Sequence, residues 1–296
     1  MAYYGGIEAG GTKFVCAIGK GTGEILAETR FPTTTPEETL GATVRFFREA
    51  AQTHQIRLDA IGIGSFGPLD LDPASPTYGY ITSTPKAGWA DTPFVSLIEK
   101  AFGVPVGWDT DVNAAALGEG LWGAAKGLDN FLYLTIGTGV GGGAVINGRP
   151  LHGLVHPEMG HMLLPPRPDG FTGVCPFHKN CFEGLATGPS MAVHWGQPAQ
   201  TLPADHPAWE EEAAVIAAAL HGLICVLSPT RIILGGGVMQ QPQLFPMIRQ
   251  KVKESLNGYV QAEAILNGMD GYIVPPGLAG KAGVLGAFAL AQLALG

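Results

Sequence analysis

The sequence predicts a two-lobed α/β fold with a central cleft, and three observations predict it. Short apolar strand-like runs alternate with segments of helical patterning along nearly the whole chain. Two hairpins of one design recur, Ile7–Val15 around Gly10-Gly11-Thr12-Lys13 and Leu134–Gly142 around Gly137-Thr138-Gly139, as expected of a duplicated α/β unit. The chain of 296 residues is 46% hydrophobic and 14% charged, which gives it enough apolar surface for two buried cores.

The elements follow in order. Residues 4–9 and 13–19 form the first hairpin, and a strand near 24–31 completes it. Thr35-Pro36-Glu37-Glu38 opens a helix with a threonine N-cap, a proline at its first position and a capping-box glutamate; the helix runs to about Gln52. Ala60–Gly64 is a buried strand that ends in the loop Ser65-Phe66-Gly67-Pro68. Residues 69–92, rich in Pro, Thr, Ser and Gly, read as a long functional loop. A helix near 93–102 and a strand at 104–108 complete the first half. Asp111-Val112-Asn113 caps a helix from Ala114 to about Trp122. The second hairpin pairs 130–137 with 141–146, and an irregular segment covers 150–186. Helices near 188–195 and 207–227, a strand at Arg231–Leu234, a helix from about Gln243 to Leu256, a strand at 271–275 and a helix at 280–295 close the chain. The expected lobes are 1–112 with 285–296, and 113–284.

Composition excludes several classes. The net charge is −8 and no Lys/Arg cluster occurs, so a nucleic-acid binder is not expected. Acidity does not bar an anionic ligand held by backbone N–H groups. No apolar run reaches the roughly 18 residues of a membrane span. Met1–Gly6 has neither a basic start nor an apolar signal core, so a cytoplasmic location is expected. Of four cysteines, the close pair Cys175 and Cys181 reads as metal-binding, and Cys16 and Cys225 as small core residues.

Several motifs carry chemistry. Cys175-Pro-Phe-His178-Lys-Asn-Cys181 places two thiols and an imidazole at three-residue spacing. His161 is the best fourth ligand, with His156 and His152 as competitors that spacing does not eliminate. Four such ligands suit a closed, structural Zn²⁺ site, without the open position a zinc hydrolase needs. Glu158 and Glu183 flank this site; carboxylates accept the hydrogen bonds of vicinal sugar hydroxyls, and second-shell or surface glutamates are the equally plain alternative. Each glycine turn alone reads as a tight hairpin. Together, Gly10, Gly11, Thr12, Lys13 and Gly137, Thr138, Gly139 suit phosphate oxygens held by N–H groups and hydroxyls. Neither has Walker spacing, and no Rossmann signature stands at a strand–helix junction. In Asp109-Thr110-Asp111-Val112-Asn113, an aspartate is either an N-cap or a general base, with Asp111 favoured as the base. Gly235-Gly236-Gly237 after a buried strand lets a flat ring approach the backbone, or is simply a helix-entry turn. Phe66, Trp89 and Trp108 read as core.

These residues resemble the ROK family of sugar kinases and repressors, within the actin/hexokinase/Hsp70-like (ribonuclease H-like) fold, over essentially the whole chain. Ile7–Lys13 looks like its first phosphate motif, Thr135–Gly142 its second, and Glu158-Met159-Gly160-His161 with the cysteine segment its sugar-and-zinc signature. The resemblance implies Asp111 as catalytic base, with Asn113 in the same motif. It implies Glu158, Glu183 and His161 at the sugar, with His161 also on zinc, and Gly235–Gly237 on the adenosine side. Two positions depart from the common pattern: Glu8 stands where aspartate is usual, and His178 replaces a thiolate. Both departures, the loop Thr84–Trp89 and the segment Gly64–Pro68 with Gly67 and Pro68 among its substrate residues, are similar to the bacterial fructokinase branch.

The resemblance therefore implies ATP-dependent transfer of phosphate to a hexose, D-fructose first, with glucose, mannose or an N-acetylated hexosamine next. A non-catalytic sugar sensor is the alternative from another class. Mg²⁺ accompanies ATP, and the family's habit implies a homodimer. Repressor members carry a helix-turn-helix ahead of the kinase-like part, and the position of the first hairpin implies no such module here.

Overall fold

A computed structural model describes residues 2–296. The chain divides into two compact units, Met1–Gly127 with Pro150–His156 and Gly277–Gly296, and Leu128–Arg149 with Pro157–Pro276.

The first unit holds β1 (Tyr3–Ala9), β2 (Lys13–Lys20), β3 (Ile25–Pro32), α1 (Pro36–His54), β4 (Ala60–Ser65), α2 (Phe94–Phe102), β5 (Val106–Thr110) and α3 (Asp111–Trp122). The second holds β6 (Phe131–Ile136), β7 (Val140–Ile146), the two-residue β8 (Arg149–Pro150, whose Pro150 already belongs to the first unit), α4 (Phe182–Ala186), α5 (Gly188–Trp195), α6 (Ala208–Leu227), β9 (Arg231–Gly235), α7 (Leu244–Leu256), α8 (Glu263–Leu266), α9 (Met269–Tyr272) and β10 (Ile273–Val274). The last helix, α10 (Ala282–Leu295), returns to the first unit.

The two sheets have one plan. The first runs β3-β2-β1-β4-β5 and the second β8-β7-β6-β9-β10. In each, an antiparallel hairpin (β1/β2, β6/β7) is extended by parallel strands on the other side of its first strand. The duplication expected from the two hairpins is thus repeated strand by strand.

Strand alternation sorts the first sheet's side chains to two faces. Ile7, Phe14, Cys16, Ile18, Ile61 and Ile63 pack with α1 and α2 residues such as Phe47, Phe94 and Ile98. Tyr4, Val15, Ala17 and Ala60 pack with Val284, Leu285, Phe288 and Ala291 of α10. Trp89 and Trp108 are buried and Phe66 packs on the same cluster, as their reading as core anticipated. Thr35 caps α1 as expected, its hydroxyl accepting from Glu38 N at 3.3 Å.

α10 lies unusually close to the sheet. A Cβ on Gly62 of β4 would overlap the Ala287 carbonyl oxygen. Gly62→Ala is therefore expected to destabilise the protein by about 1–3 kcal/mol through overpacking; urea denaturation checks it, and an unchanged midpoint would count against this contact.

The boundary expected after residue 112 falls later. α3 packs along α10, so it stays with the first unit, and the chain leaves that unit only after Gly127. The buried Glu119 on α3 ties this region together, accepting hydrogen bonds from Ala124 N (2.6 Å), Gly277 N (2.9 Å) and Leu278 N (3.0 Å). Residues 277–284 accordingly belong to the first unit as well. The strand expected at 271–275 shortens to Ile273–Val274 behind the one-turn helix α9.

In α6, Glu212 is 2% exposed and its Oε1 has no hydrogen-bond partner among the described residues. Burial raises its pKa well above the usual carboxylate value, opposed in part by Arg167. The folded protein then holds this proton at pH values where the unfolded chain releases it. Its contribution is fully present below the unfolded pKa and is lost as pH rises through the folded one. Glu212→Gln is expected to leave stability nearly unchanged at pH 4–5 and to raise the melting temperature at pH 8–9. Equal melting curves at pH 9 would contradict it.

Candidate active site

In the first unit the predicted residues cluster at the carboxyl ends of three adjacent strands. Ala9 pairs with Ser65 and Ser65 with Thr110, so the segments starting at Gly10, Phe66 and Asp111 leave the sheet side by side. Parallel strands of α/β sheets bind ligands at this edge.

The first turn is braced from beneath. Gly10 N donates to Lys13 O (3.0 Å), and Thr33 Oγ1 to Gly10 O (2.7 Å). Thr12 and Lys13 remain exposed. Glu8, just before the turn, packs its carboxyl against Gly283 near the start of α10. Burial raises its pKa against the opposing pull of Lys13 and Arg30.

The aspartate motif resolves into separate roles. α3 starts at Asp111, and its N-cap is Thr110, whose hydroxyl accepts from Asn113 N at 3.1 Å. This corrects the expected start at Ala114 with Asp111–Asn113 as cap, and it removes N-capping as the account of Asp111. Asp111 stands half-buried in the first helical turn, one carboxylate oxygen accepting from Val112 N at 2.9 Å. Asp109 is buried and accepts from Thr110 N (2.7 Å), Asn113 Nδ2 (2.8 Å) and His152 Nε2 (2.9 Å). The hydrogen bond to Asp109 raises the pKa of His152 above the usual imidazole value, against partial burial.

Gly67 and Pro68 lie in the loop after β4. The Pro68 carbonyl accepts from Thr82 N (2.8 Å) and Thr82 Oγ1 (3.1 Å). His156 Nε2 accepts from Leu69 N at 3.2 Å. His152 and His156 thus bind within the first unit and are no longer competitors for the metal cluster. Their placement was not legible in the sequence, because each partner lies tens of residues away.

In the second unit the glycine segments adjoin. Gly137 N donates to Gly139 O and Gly188 N to Gly137 O, both at 2.9 Å. Thr138 is exposed at the tip. Thr135 pairs with Gly235, so the second turn and the glycine triplet leave adjacent strands. Gly236 has φ +90°, and a Cβ there would overlap the Ile136 carbonyl. Glu183 of α4 accepts from Val140 N at 3.0 Å, which fixes one of its oxygens on the second turn.

The cysteine segment forms a compact ligand cluster. The donor atoms of His161, Cys175, His178 and Cys181 all lie within 4.8 Å of one another. His161 Nδ1 is 3.9 Å from Cys175 Sγ and 3.7 Å from Cys181 Sγ, and His178 Nδ1 is 3.8 Å from Cys175 Sγ. A tetrahedral zinc with ordinary bond lengths has N···S edges of about 3.6 Å, so this donor set fits Zn²⁺. The backbone shapes it: Lys179 at φ +58° turns the chain between His178 and Cys181. Met159–His161 form a 3₁₀ turn in which Glu158 O accepts from His161 N (2.9 Å), setting exposed Glu158 beside the cluster. Burial pushes the Cys181 thiol up to about 11.

A second group, Asp169, His194 and Glu211, escaped the sequence reading. The Arg167 guanidinium occupies it, bonding Asp169 at 2.7 Å and also Glu211, and holds the Asp169 carboxyl down at about 2. It is an ionic clasp that ties residues 167–169 to α5 and α6.

The family model of the ROK family matches residues 4–294. A fructokinase of Pediococcus pentosaceus is 47% identical over 292 residues, covering 98% of each chain. Among solved structures, a ROK hexokinase from Thermus thermophilus matches with a TM-score of 0.82 at 28% identity, over 98% of each chain. A ROK family glucokinase from Streptomyces griseus, in complex with glucose and AMPPNP, matches with a TM-score of 0.72 at 25% identity, over 99% of this chain and 100% of that one.

Proposed function

The chain belongs to the ROK family and is a sugar kinase of the actin/hexokinase-like fold; from that premise we propose that it transfers the γ-phosphoryl group of ATP to the 6-hydroxyl of D-fructose. The observation that carries the mechanism is the helix start at Asp111. Thr110 takes the capping role, and the Val112 N–H fixes the orientation of the Asp111 carboxylate. Asp111 is then a general base that accepts the hydroxyl proton as the oxygen attacks phosphorus in line.

The two turns, Gly10–Lys13 and Gly137–Gly139, supply N–H groups and the Thr12 and Thr138 hydroxyls to phosphate oxygens. Gly235–Gly237 admit the adenosine, and magnesium arrives with the nucleotide. Glu158, His161, Glu183, Asn113, Gly67 and Pro68 make up the sugar side. His161, Cys175, His178 and Cys181 hold a structural zinc. His161 ligates through Nδ1, which leaves Nε2 for a sugar oxygen. Bound there, zinc supplies rigidity to the segment that carries Glu158 and Glu183.

Fructose is preferred because the relative that shares nearly half of its residues with this chain is a fructokinase, whereas the glucose-bound structure shares only a quarter. No helix among the described residues is long and apolar enough to cross a membrane, in keeping with the proposed cytoplasmic location. A homodimer, the family's habit, is part of the proposal, and light scattering checks it.

The test is a coupled ADP-release assay with Mg²⁺–ATP and separate hexoses, on protein whose zinc is measured alongside. Fast turnover with fructose and one zinc per chain is the expected result. Turnover only with another hexose keeps the kinase and moves its substrate.

A further inference from the structure

We infer that His152 is a specificity-determining residue of the sugar site, donating from its Nδ1–H to an oxygen of the sugar; this rests on the fructokinase reading.

The argument starts from the ring's two nitrogens. Nε2 lies 2.9 Å from the buried Asp109 carboxylate, which can only accept, so Nε2 carries a proton and donates. The Asn113 amide nitrogen, 3.4 Å from the same Nε2, is itself a donor and already bonds Asp109 at 2.8 Å. Among the described residues the ring's hydrogen bonds all fall on Nε2, and the side chain is 41% exposed. Pairing with a buried carboxylate favours the imidazolium, in which Nδ1 also bears hydrogen.

Placement gives this donor its role. His152 contacts the first turn of α3 at Asn113, two residues beyond the proposed base. Four residues on, His156 grips the loop after Gly67 and Pro68 through Leu69 N. The segment Pro150–His156 is therefore held at His152 and His156 against two segments that carry residues proposed for the sugar. Of the residues of this unit proposed for the reaction, Asp111 is an acceptor and the Asn113 amide nitrogen donates to Asp109 at 2.8 Å. Sugar oxygens need donors as well as acceptors, and His152 supplies one. Asp109, buried and triply bonded, acts as the positioning residue behind it.

Three measurements on the zinc-loaded full chain decide the matter. In His152→Phe, the fructose Kd by calorimetry and the fructose KM are expected to rise at least tenfold. The KM for ATP and hydrolysis of ATP without sugar should stay within twofold. His152→Gln, which keeps a neutral donor, should recover part of the loss. In the wild type, saturating fructose should slow carbethoxylation of His152 by diethyl pyrocarbonate several-fold, read by peptide mass spectrometry, while ATP should not. Fructose affinity within twofold in His152→Phe, or unprotected His152 in the wild type, overturns the inference. The protection experiment stands even if both variants misfold. Absence of phosphoryl transfer to any hexose would defeat the kinase reading separately, because binding and protection are read without turnover.

Discussion

Asp111→Asn is expected to lower turnover with fructose by about 10²–10⁴-fold, the usual contribution of a general base. The substitution keeps the shape of the side chain, and the amide oxygen can still accept from Val112 N, so the first turn of α3 is preserved. Thr110 remains the cap, and the melting temperature should move little. Sugar binding should survive, because what is lost is the proton acceptor needed as the oxygen attacks. The readout is kcat against the calorimetric fructose Kd: a large fall in the first with little change in the second. Turnover within a few-fold of wild type would remove Asp111 from the base role. Asp109→Asn is the informative contrast. Asp109 is buried and accepts three hydrogen bonds, so its loss should lower stability as well as activity.

Removal of zinc is expected to raise the fructose KM more than tenfold, lower the melting temperature and leave the KM for ATP less affected. The four donors come from a 3₁₀ turn, an irregular loop and the cap of α4, which have little regular structure to hold them together without the ion. The thiol of Cys181 is pushed up to about 11 by burial, so ion-free protein is protonated there at neutral pH. Metal uptake must displace that proton, and zinc affinity should weaken as pH falls. Calorimetry of zinc uptake in two buffers of different ionisation heat would measure the proton release. Cys175→Ser should mimic chelation. Unchanged sugar kinetics and melting after verified zinc loss would defeat the structural role.

The sequence exposed those parts of the fold that depend on local chemistry. The hairpins were legible because their turns are glycine and threonine between apolar runs, and α1 because threonine, proline and glutamate stand at its cap. The metal cluster was legible because Cys175, His178 and Cys181 are close in sequence. Its fourth member, His161, was already the favoured candidate, but His152 and His156 are chemically alike, and only tertiary contacts set them apart. The start of α3 was misplaced because Thr110, Asp111 and Asn113 all favour helix caps. The return of Pro150–His156 to the first unit has no local signature, since it is recorded in partners such as Asp109 and Leu69 far away in the chain.

The seat of α10 has a consequence for how the protein is made. The apolar face of the first sheet at Tyr4, Val15, Ala17 and Ala60 is covered by residues 284–291, which are synthesised after the whole of the second unit. At ordinary ribosomal speeds the opening strands wait on the order of tens of seconds for that cover. The second unit, whose segments end at Pro276, has all its residues before the first does. The order of birth is thus reversed in the order of completion, and that face of the first sheet stays uncovered until the second unit has been made.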